Sequence, residues 1–317
     1  MDLGRAALAM GTALAATALL AQGPAPRPAA SAPLSPSEIA ARAPAGAWQA
    51  IAADDLLVMR LAPTSDGVRR EVVIQLIARD FAQPWVGNVR TLARARWWDG
   101  LSINRVQDNY VVQWGDADGE DAAKAKRLPT GMRPTAQADY TSAVARARLT
   151  APRADSYAPM AGFVDGWPVG FDAGRAWPAH CYAMVGVGRG MAPDAGSGAE
   201  LYTVVGHAPR HLDRNIAVVG RVISGIEHLS SLPRGTGGLG FYERPEQRVR
   251  IESIRLASDL PEAERPRFEF LRTDTPQFAR YAEARANRRD AFFVRPAGGA
   301  DVCNVTVPVR RVAQPSR

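Results

Sequence analysis

The feature that most constrains this chain is a succession of short stretches in which branched or aromatic apolar residues alternate with polar ones, each ended by a turn-forming residue. REVVIQLIA (residues 70–78) is the first, and GLSINRVQDNYVVQWGD (100–116) reads as a strand that turns back as a second. HCYAMVGVG (180–188), ELYTVVG (200–206), IAVVGRVISG (216–225) and RVRIESIRLA (248–257) follow. Alternation with period two is the pattern of a strand, whose successive side chains point to opposite faces. Clear helices are few. In DFAQPWVGNVRTLARARWWDG, Asp80 is placed to cap a helix and Pro84 suits its first turn, while Val86, Val89, Leu92 and Ala93 make an apolar stripe. A shorter helical run lies at IEHLSSL (226–232). Many short strands with few helices predict a mainly β protein, its sheet closed into an antiparallel barrel with helices covering the ends.

The flanks of this region read differently. MDLGRAALAMGTALAATALLA (1–21) places Arg5 before an apolar run of small residues. It has the shape of a secretory signal peptide and is shorter than the ~20 residues a bilayer-spanning helix needs. Export to the periplasm or secretion is expected, with no stable membrane insertion after cleavage. An uncleaved N-terminal anchor is the alternative, because Asp2 offsets Arg5. Residues 22–47 are rich in Pro, Ala and Ser, and a flexible tether is expected there. The folded part starts near Trp48, and residues 48–258 carry the barrel strands. A polar region with little periodicity, residues 117–174, interrupts them as an insertion or large loop. Residues 259–317 form a C-terminal α+β extension expected to pack on the barrel. It holds the strand FEFLR, a helix opened by Thr275-Pro276 with Phe278, Tyr281 and Ala282 inside, and the closing DVCNVTVPV.

The net charge of +7 invites a nucleic-acid reading, but of the 39 basic residues only Lys124 and Lys126 are lysines, and the arginines are spread along the whole chain. A basic stripe is absent from that distribution, and no nucleic-acid partner is expected. Cys181 and Cys303 either pair in an oxidising compartment or pack separately; spacing alone does not decide. GTGGLG (235–240) has the letters of a dinucleotide loop, but it lacks the preceding strand and following helix, so it reads as a glycine loop before a strand. Pro209 breaks the helical face that His207 and His211 would need as a metal pair. DADGED (116–121) lacks the later bidentate glutamate of a calcium loop and reads as a solvated turn. Asn304-Val305-Thr306 satisfies the glycosylation pattern and carries no further weight.

Taken in order, VVIQL, the helix and strand pair of residues 80–116, and GSGAELYTVVGHAPRHLDRNIAVVGRVISGIEHL form a series that resembles the cyclophilin-type peptidyl-prolyl isomerases across most of residues 68–258. That family carries its central arginine in a pattern of the kind F-H-R-V-x-x-x-F-x-x-Q-G-G-D. The matching run here is Ile103-Asn104-Arg105-Val106, with Tyr110, Val111 and Gln113 at the aromatic, apolar and glutamine positions, and Trp114 in place of a glycine. The family's G-S-Q-F-F/Y-I is matched by Gly198-Ala199-Glu200-Leu201-Tyr202-Thr203, with Glu200 in place of the glutamine. His211-Leu212-Asp213-Arg214-Asn215-Ile216 matches the third motif, with His211 and Leu212 on the pocket rim and Ile216 in place of a histidine. Gly188, ending HCYAMVGVG, is counted with the substrate-binding residues.

The resemblance implies a cofactor-free monomer that isomerises X-Pro bonds, with Arg105 as the catalytic residue and proline-containing polypeptides as substrates. An arginine suits that chemistry because its planar fork holds a carbonyl and presents a charged donor. Val111, Tyr202 and Leu212 would form an apolar slot for the proline ring, and Gln113 would orient Arg105 or the substrate backbone. The departures from the pattern open an alternative. A carboxylate at position 200 is expected to pair with Arg105 and tie up its fork, leaving a proline-peptide binding or chaperone module of weak activity.

Overall fold

The computed structural model describes residues 33–313; the signal segment or anchor read over residues 1–21 lies outside the described residues, as do the first residues of the tether. Along the chain come α1 (Pro36–Ala41), β1 (Trp48–Ala50), β2 (Leu56–Leu61), β3 (Arg70–Leu76), α2 (Gln83–Arg94), β4 (Ser102–Val106) and β5 (Val111–Gly115). The next strands are β6 (Ser142–Ala143), β7 (Thr150–Arg153), β8 (Met160–Val164), β9 (Trp167–Asp172) and β10 (Arg175–Pro178). Then come β11 (Met184–Val187), β12 (Leu201–Val204), β13 (Val218–Ser224), α3 (Glu227–Ser230), β14 (Val249–Leu256), β15 (Phe268–Leu271), α4 (Pro276–Ala286) and β16 (Val309–Arg311).

Eight of the strands close into an antiparallel barrel in the order β11-β12-β5-β4-β14-β2-β3-β13, with β13 returning to β11. The alternating stretches of the sequence supply seven of its strands, and β2, LLVMRL, completes the ring between β14 and β3. Closure pairs every edge, which is how an all-antiparallel sheet avoids exposed backbone donors. Strand β3 is buried along Val72–Leu76, because one face fills the barrel and the other is covered. Helix α2 packs along β14 and β13 with Val86, Val89, Leu92 and Ala93 inward. Its cap differs from expectation. Ala82, in the left-handed region, occupies the N-cap, while Asp80 turns away to accept two bonds from the Arg148 guanidinium. An arginine fork offers a carboxylate more than one backbone N–H would.

The polar region read as an insertion or large loop builds a second sheet, five-stranded and antiparallel, in the order β6-β10-β9-β8-β7. Its strands are short and rich in Gly, Pro and Trp, so the period-two signal is weak. Buried Arg221 of β13 joins it to the barrel: Nε donates to Gln75 at 2.9 Å, Nη1 to the Gly166 carbonyl at 3.0 Å, and the guanidinium lies 4.7 Å from the Trp167 ring. Burial lowers the pKa of Arg221 to about 10.

The C-terminal extension, expected on the barrel, rests on this second sheet. Phe278 of α4 meets Phe163 edge-on at 5.0 Å, and the Gly166 N–H donates to Thr273 Oγ1 at 3.2 Å. It reaches the barrel through Arg60–Glu264 at 2.9 Å and through a Cys181–Cys303 disulfide, which resolves the question the cysteine spacing left open. The tether is shorter than read: Ser35 and Glu38 form a capping box for α1, which packs on α4, and β1 pairs with β15. The extension's apolar residues give these segments the surface their own composition lacks.

Candidate active site

The site is built where β4 and β5 meet β12. Opposite Trp114 stands Ile103 and opposite Gln113 stands Arg105, so Asn104 is an extra residue on β4. This bulge re-aims the strand and brings Arg105 and Gln113 side by side while Trp114, fully buried, fills the barrel interior. The tryptophan at a family glycine therefore leaves the Arg105–Gln113 register intact. Helix α2 and the turn after it fix the other wall from behind. Trp85 Nε1 donates to the Ala195 and Gly196 carbonyls at 3.0 and 2.8 Å, Asn88 Nδ2 to Ser197 at 2.9 Å, and Trp98 Nε1 to Ala199 at 2.8 Å. These bonds anchor the loop that leads into Glu200 and Tyr202.

Arg105 is held by three contacts. Nε donates to the Leu239 carbonyl at 2.7 Å, Nη1 to Gln113 Oε1 at 3.1 Å, and Nη2 to Gln107 Oε1. A guanidinium has five N–H groups, so two remain on the Nη atoms for a bound chain. The Tyr110 and Phe241 rings lie 5.8 and 5.4 Å from its centre. Burial lowers its pKa from the ordinary arginine value, and an arginine lowered from that height stays charged. Leu239 lies in the glycine loop GTGGLG, which folds back on β4, the Gly235 N–H donating to the Val106 carbonyl at 2.9 Å. A Cβ on Gly240, at φ +81°, would lie 2.8 Å from Gln107 Cα, and one on Gly235 would lie 2.1 Å from the Gly240 carbonyl. Gln107, Leu239 and Phe241 escape sequence reasoning because nothing in their own segment marks them. A glycine-dense loop with no other use was the available signal.

Glu200 does not pair with Arg105, contrary to expectation. Its Oε1 accepts the Asp116 N–H at 2.6 Å, and its carboxyl lies on bare backbone: a Cβ on Gly115 would be 2.0 Å from that oxygen. Burial pushes its pKa up to about 7, against the bonds from the Asp116 N–H and the Gln113 side chain. Gln113 thus stands between the two groups, its Oε1 accepting from Arg105 and its side chain bonded to Glu200. Among the described residues no carboxylate pairs with the guanidinium.

Beside Arg105, Val111, Tyr202 and Val204 form a small apolar cluster separate from the main core, with Tyr110, Leu212 and Ile216 packed against it. The result is a depression of about 480 Å³ whose lining includes Arg105, Tyr110, Val111, Gln113, Gly188, Glu200, Tyr202, Leu212 and Ile216. Gly188 approaches so closely that a Cβ there would lie 2.8 Å from Glu200 Cβ. His211 is outside the lining, exposed and stacked on Tyr110 at 6.4 Å. Val204, missed in the sequence, lies under the floor. Asp116 of the expected turn accepts from Asp118 N and Lys126 N, and Asp121 pairs with Lys124, so those carboxylates serve their own loop.

A closed eight-stranded antiparallel barrel with an arginine fork at the mouth of a small apolar slot defines the cyclophilin class of fold. The comparison of sequences makes the assignment particular: residues 64–256 match the model of the family described as cyclophilin type peptidyl-prolyl cis-trans isomerase/CLD, and the chain belongs to that family. Among solved structures it is similar to the cyclophilin AquaCyp293 from Hirschia baltica, with 21% identity, 85% of this chain and 95% of that chain covered, and a TM-score of 0.60. A Cryptosporidium parvum cyclophilin type peptidyl-prolyl cis-trans isomerase gives 11% identity, 64% and 96% coverage and a TM-score of 0.40. The first likeness supports the fold. No curated protein matches the sequence.

Proposed function

We propose that this chain accelerates cis-trans isomerisation of X-Pro bonds in exported polypeptides, with Arg105 as its catalytic residue, and that it reaches the periplasm or the exterior by its N-terminal signal segment. The observation that carries the reading is the arginine fork, charged and with two N–H groups uncommitted, beside an apolar slot.

Rotation about a peptide bond breaks amide resonance, a barrier of ~18–20 kcal/mol. Prolyl bonds therefore turn over only in tens to hundreds of seconds. A catalyst of this step forms no covalent bond; it has to bind the twisted state better than either planar state. The slot of Val111, Tyr202 and Leu212 would hold the proline ring while the chain on its N-terminal side rotates. One free N–H of Arg105 would hold a substrate carbonyl, and the other would donate to the prolyl nitrogen, whose lone pair becomes available only as conjugation is lost. A charged hydrogen bond made in the twisted state alone is worth about 1.5–3 kcal/mol, or roughly 10- to 150-fold in rate. Gln113, Gln107 and the Leu239 carbonyl keep the fork aimed, so its ordering is complete before substrate arrives.

The test is the cis-to-trans rate of a set of X-Pro peptides with the purified protein beside Arg105→Ala. Acceleration that vanishes in the variant while its melting curve is unchanged supports the reading. Peptide affinity without acceleration would instead establish a proline-peptide binding module. Export is tested separately, by fusing residues 1–32 to a reporter and following its location and cleavage.

A further inference from the structure

Behind the slot runs a buried polar chain that the mechanism above does not use. The Tyr202 hydroxyl lies 3.0 Å from His180 Nε2, and His180 Nδ1 lies 3.0 Å from Asp213 Oδ1. Asp213 also accepts the His180 backbone N–H at 2.9 Å and Arg210 Nε at 2.6 Å. Arg210 forks in turn onto Asp155, at 2.9 and 3.0 Å. The side chains of His180, Asp155, Arg210 and Asp213 are 2% exposed or less. They come from the second sheet's first hairpin, the segment before β11 and the turn after β12.

The bonding order fixes what each group does. A carboxylate only accepts, so His180 Nδ1 donates its hydrogen to Asp213; with the hydrogen on Nδ1, Nε2 accepts from the Tyr202 hydroxyl. Burial raises the Tyr202 pKa well above its ordinary 10, which keeps that hydroxyl a neutral donor. On one face the Tyr202 ring lies against Gly186, where a Cβ would come within 2.4 Å of Cζ and the hydroxyl oxygen. The ring is thus seated on backbone, tied at its tip, and its hydroxyl hydrogen points away from the slot. The segment that carries His180 is itself pinned by the adjacent Cys181–Cys303 bridge.

The geometry points to His180 as a positioning residue for the isomerisation: through the Tyr202 hydroxyl, and backed by Asp213 and Arg210, it sets the plane of the ring that floors the proline slot. This rests on the isomerase reading of the slot. A floor ring held only by packing could tilt as a chain enters; one held by its hydroxyl is ordered in advance. The ring would grip proline equally in planar and twisted states, so loosening it removes uniform binding, which raises KM and spares kcat.

The experiment compares Tyr202→Phe, His180→Leu, His180→Gln and the Tyr202→Phe/His180→Leu double variant, each checked for folding by near-UV circular dichroism. Loss of one buried hydrogen bond should raise KM about 3- to 10-fold in Tyr202→Phe and in His180→Leu, with kcat within about twofold. The double variant should be no worse than the weaker single variant, since the same bond is lost once. His180→Gln, whose amide can still accept from the hydroxyl, should recover most of the loss. If His180→Leu does not fold, Tyr202→Phe carries the test, because it removes one oxygen and leaves His180 on Asp213. An unchanged KM in folded Tyr202→Phe, or additive losses in the double variant, overturns the proposal. If the wild type gives no acceleration, the isomerase reading fails by itself. Peptide Kd by calorimetry then replaces KM, with the same loss and rescue supporting the positioning role and no change overturning it.

Discussion

Glu200→Gln should stabilise the protein above neutral pH and have no such effect in mild acid. On folding, burial moves the Glu200 carboxyl from its ordinary 4.5 to about 7. The native state therefore keeps a proton that the unfolded chain has already released. The unfolded state binds fewer protons across that window, so stability falls as pH rises from about 4.5 to about 7. At about 1.4 kcal/mol for each tenfold change in proton affinity, two and a half such steps come to about 3 kcal/mol above pH 7. Below pH 4.5 the carboxyl is neutral in both states and costs nothing. Glutamine keeps an acceptor for the Asp116 N–H and has no proton to lose. Urea denaturation of both proteins at pH 5 and pH 8 measures the difference, and every group the two proteins share cancels between them. Part of the cost is already present at pH 5, so the variant should gain roughly 2.5 kcal/mol at pH 8 relative to its difference at pH 5. Equal differences at the two pH values, or a wild type that gains on the variant as pH rises, would refute the reasoning.

Gly240→Val places a Cβ against Gln107 Cα and forbids the left-handed backbone, so the loop should leave β4 and withdraw the Leu239 carbonyl from Arg105. Turnover of X-Pro peptides should fall roughly tenfold, the worth of one hydrogen bond to a charged group, while far-ultraviolet circular dichroism stays that of the barrel. Replacing Cys181 and Cys303 by alanine removes a link across 122 residues and should cost about 2–4 kcal/mol in denaturant unfolding, with loss of the extension's protection from protease.

What was legible in the sequence was periodic or local. Alternation in REVVIQLIA, IAVVGRVISG and RVRIESIRLA marked strands because a pleated backbone turns every second side chain to the core, whatever the rest of the chain does. The order of the motifs around Arg105, Glu200 and Tyr202 marked one face of a barrel, and the structure brings all three to one depression. Residues 142–178 defeated this reading, since short strands carrying Gly162, Gly170, Pro168 and Trp177 gain their stability from the sheet they join.

Partnership was decided by the tertiary structure alone. Glu200 and Arg105 line one depression, yet the carboxyl turns to the Asp116 N–H. A backbone donor fixed beside the bare face of Gly115 satisfies it without moving the longer arginine. Leu239 reaches Arg105 across 134 residues, and His180, Asp213 and Asp155 meet behind Tyr202 from three separate segments. A hydrogen bond needs its two atoms within a few tenths of an ångström of ideal placement, and only closure of the barrel sets atoms distant in sequence to that tolerance. Residue type and spacing determine which face of a strand is buried; which polar atoms meet there depends on the whole fold.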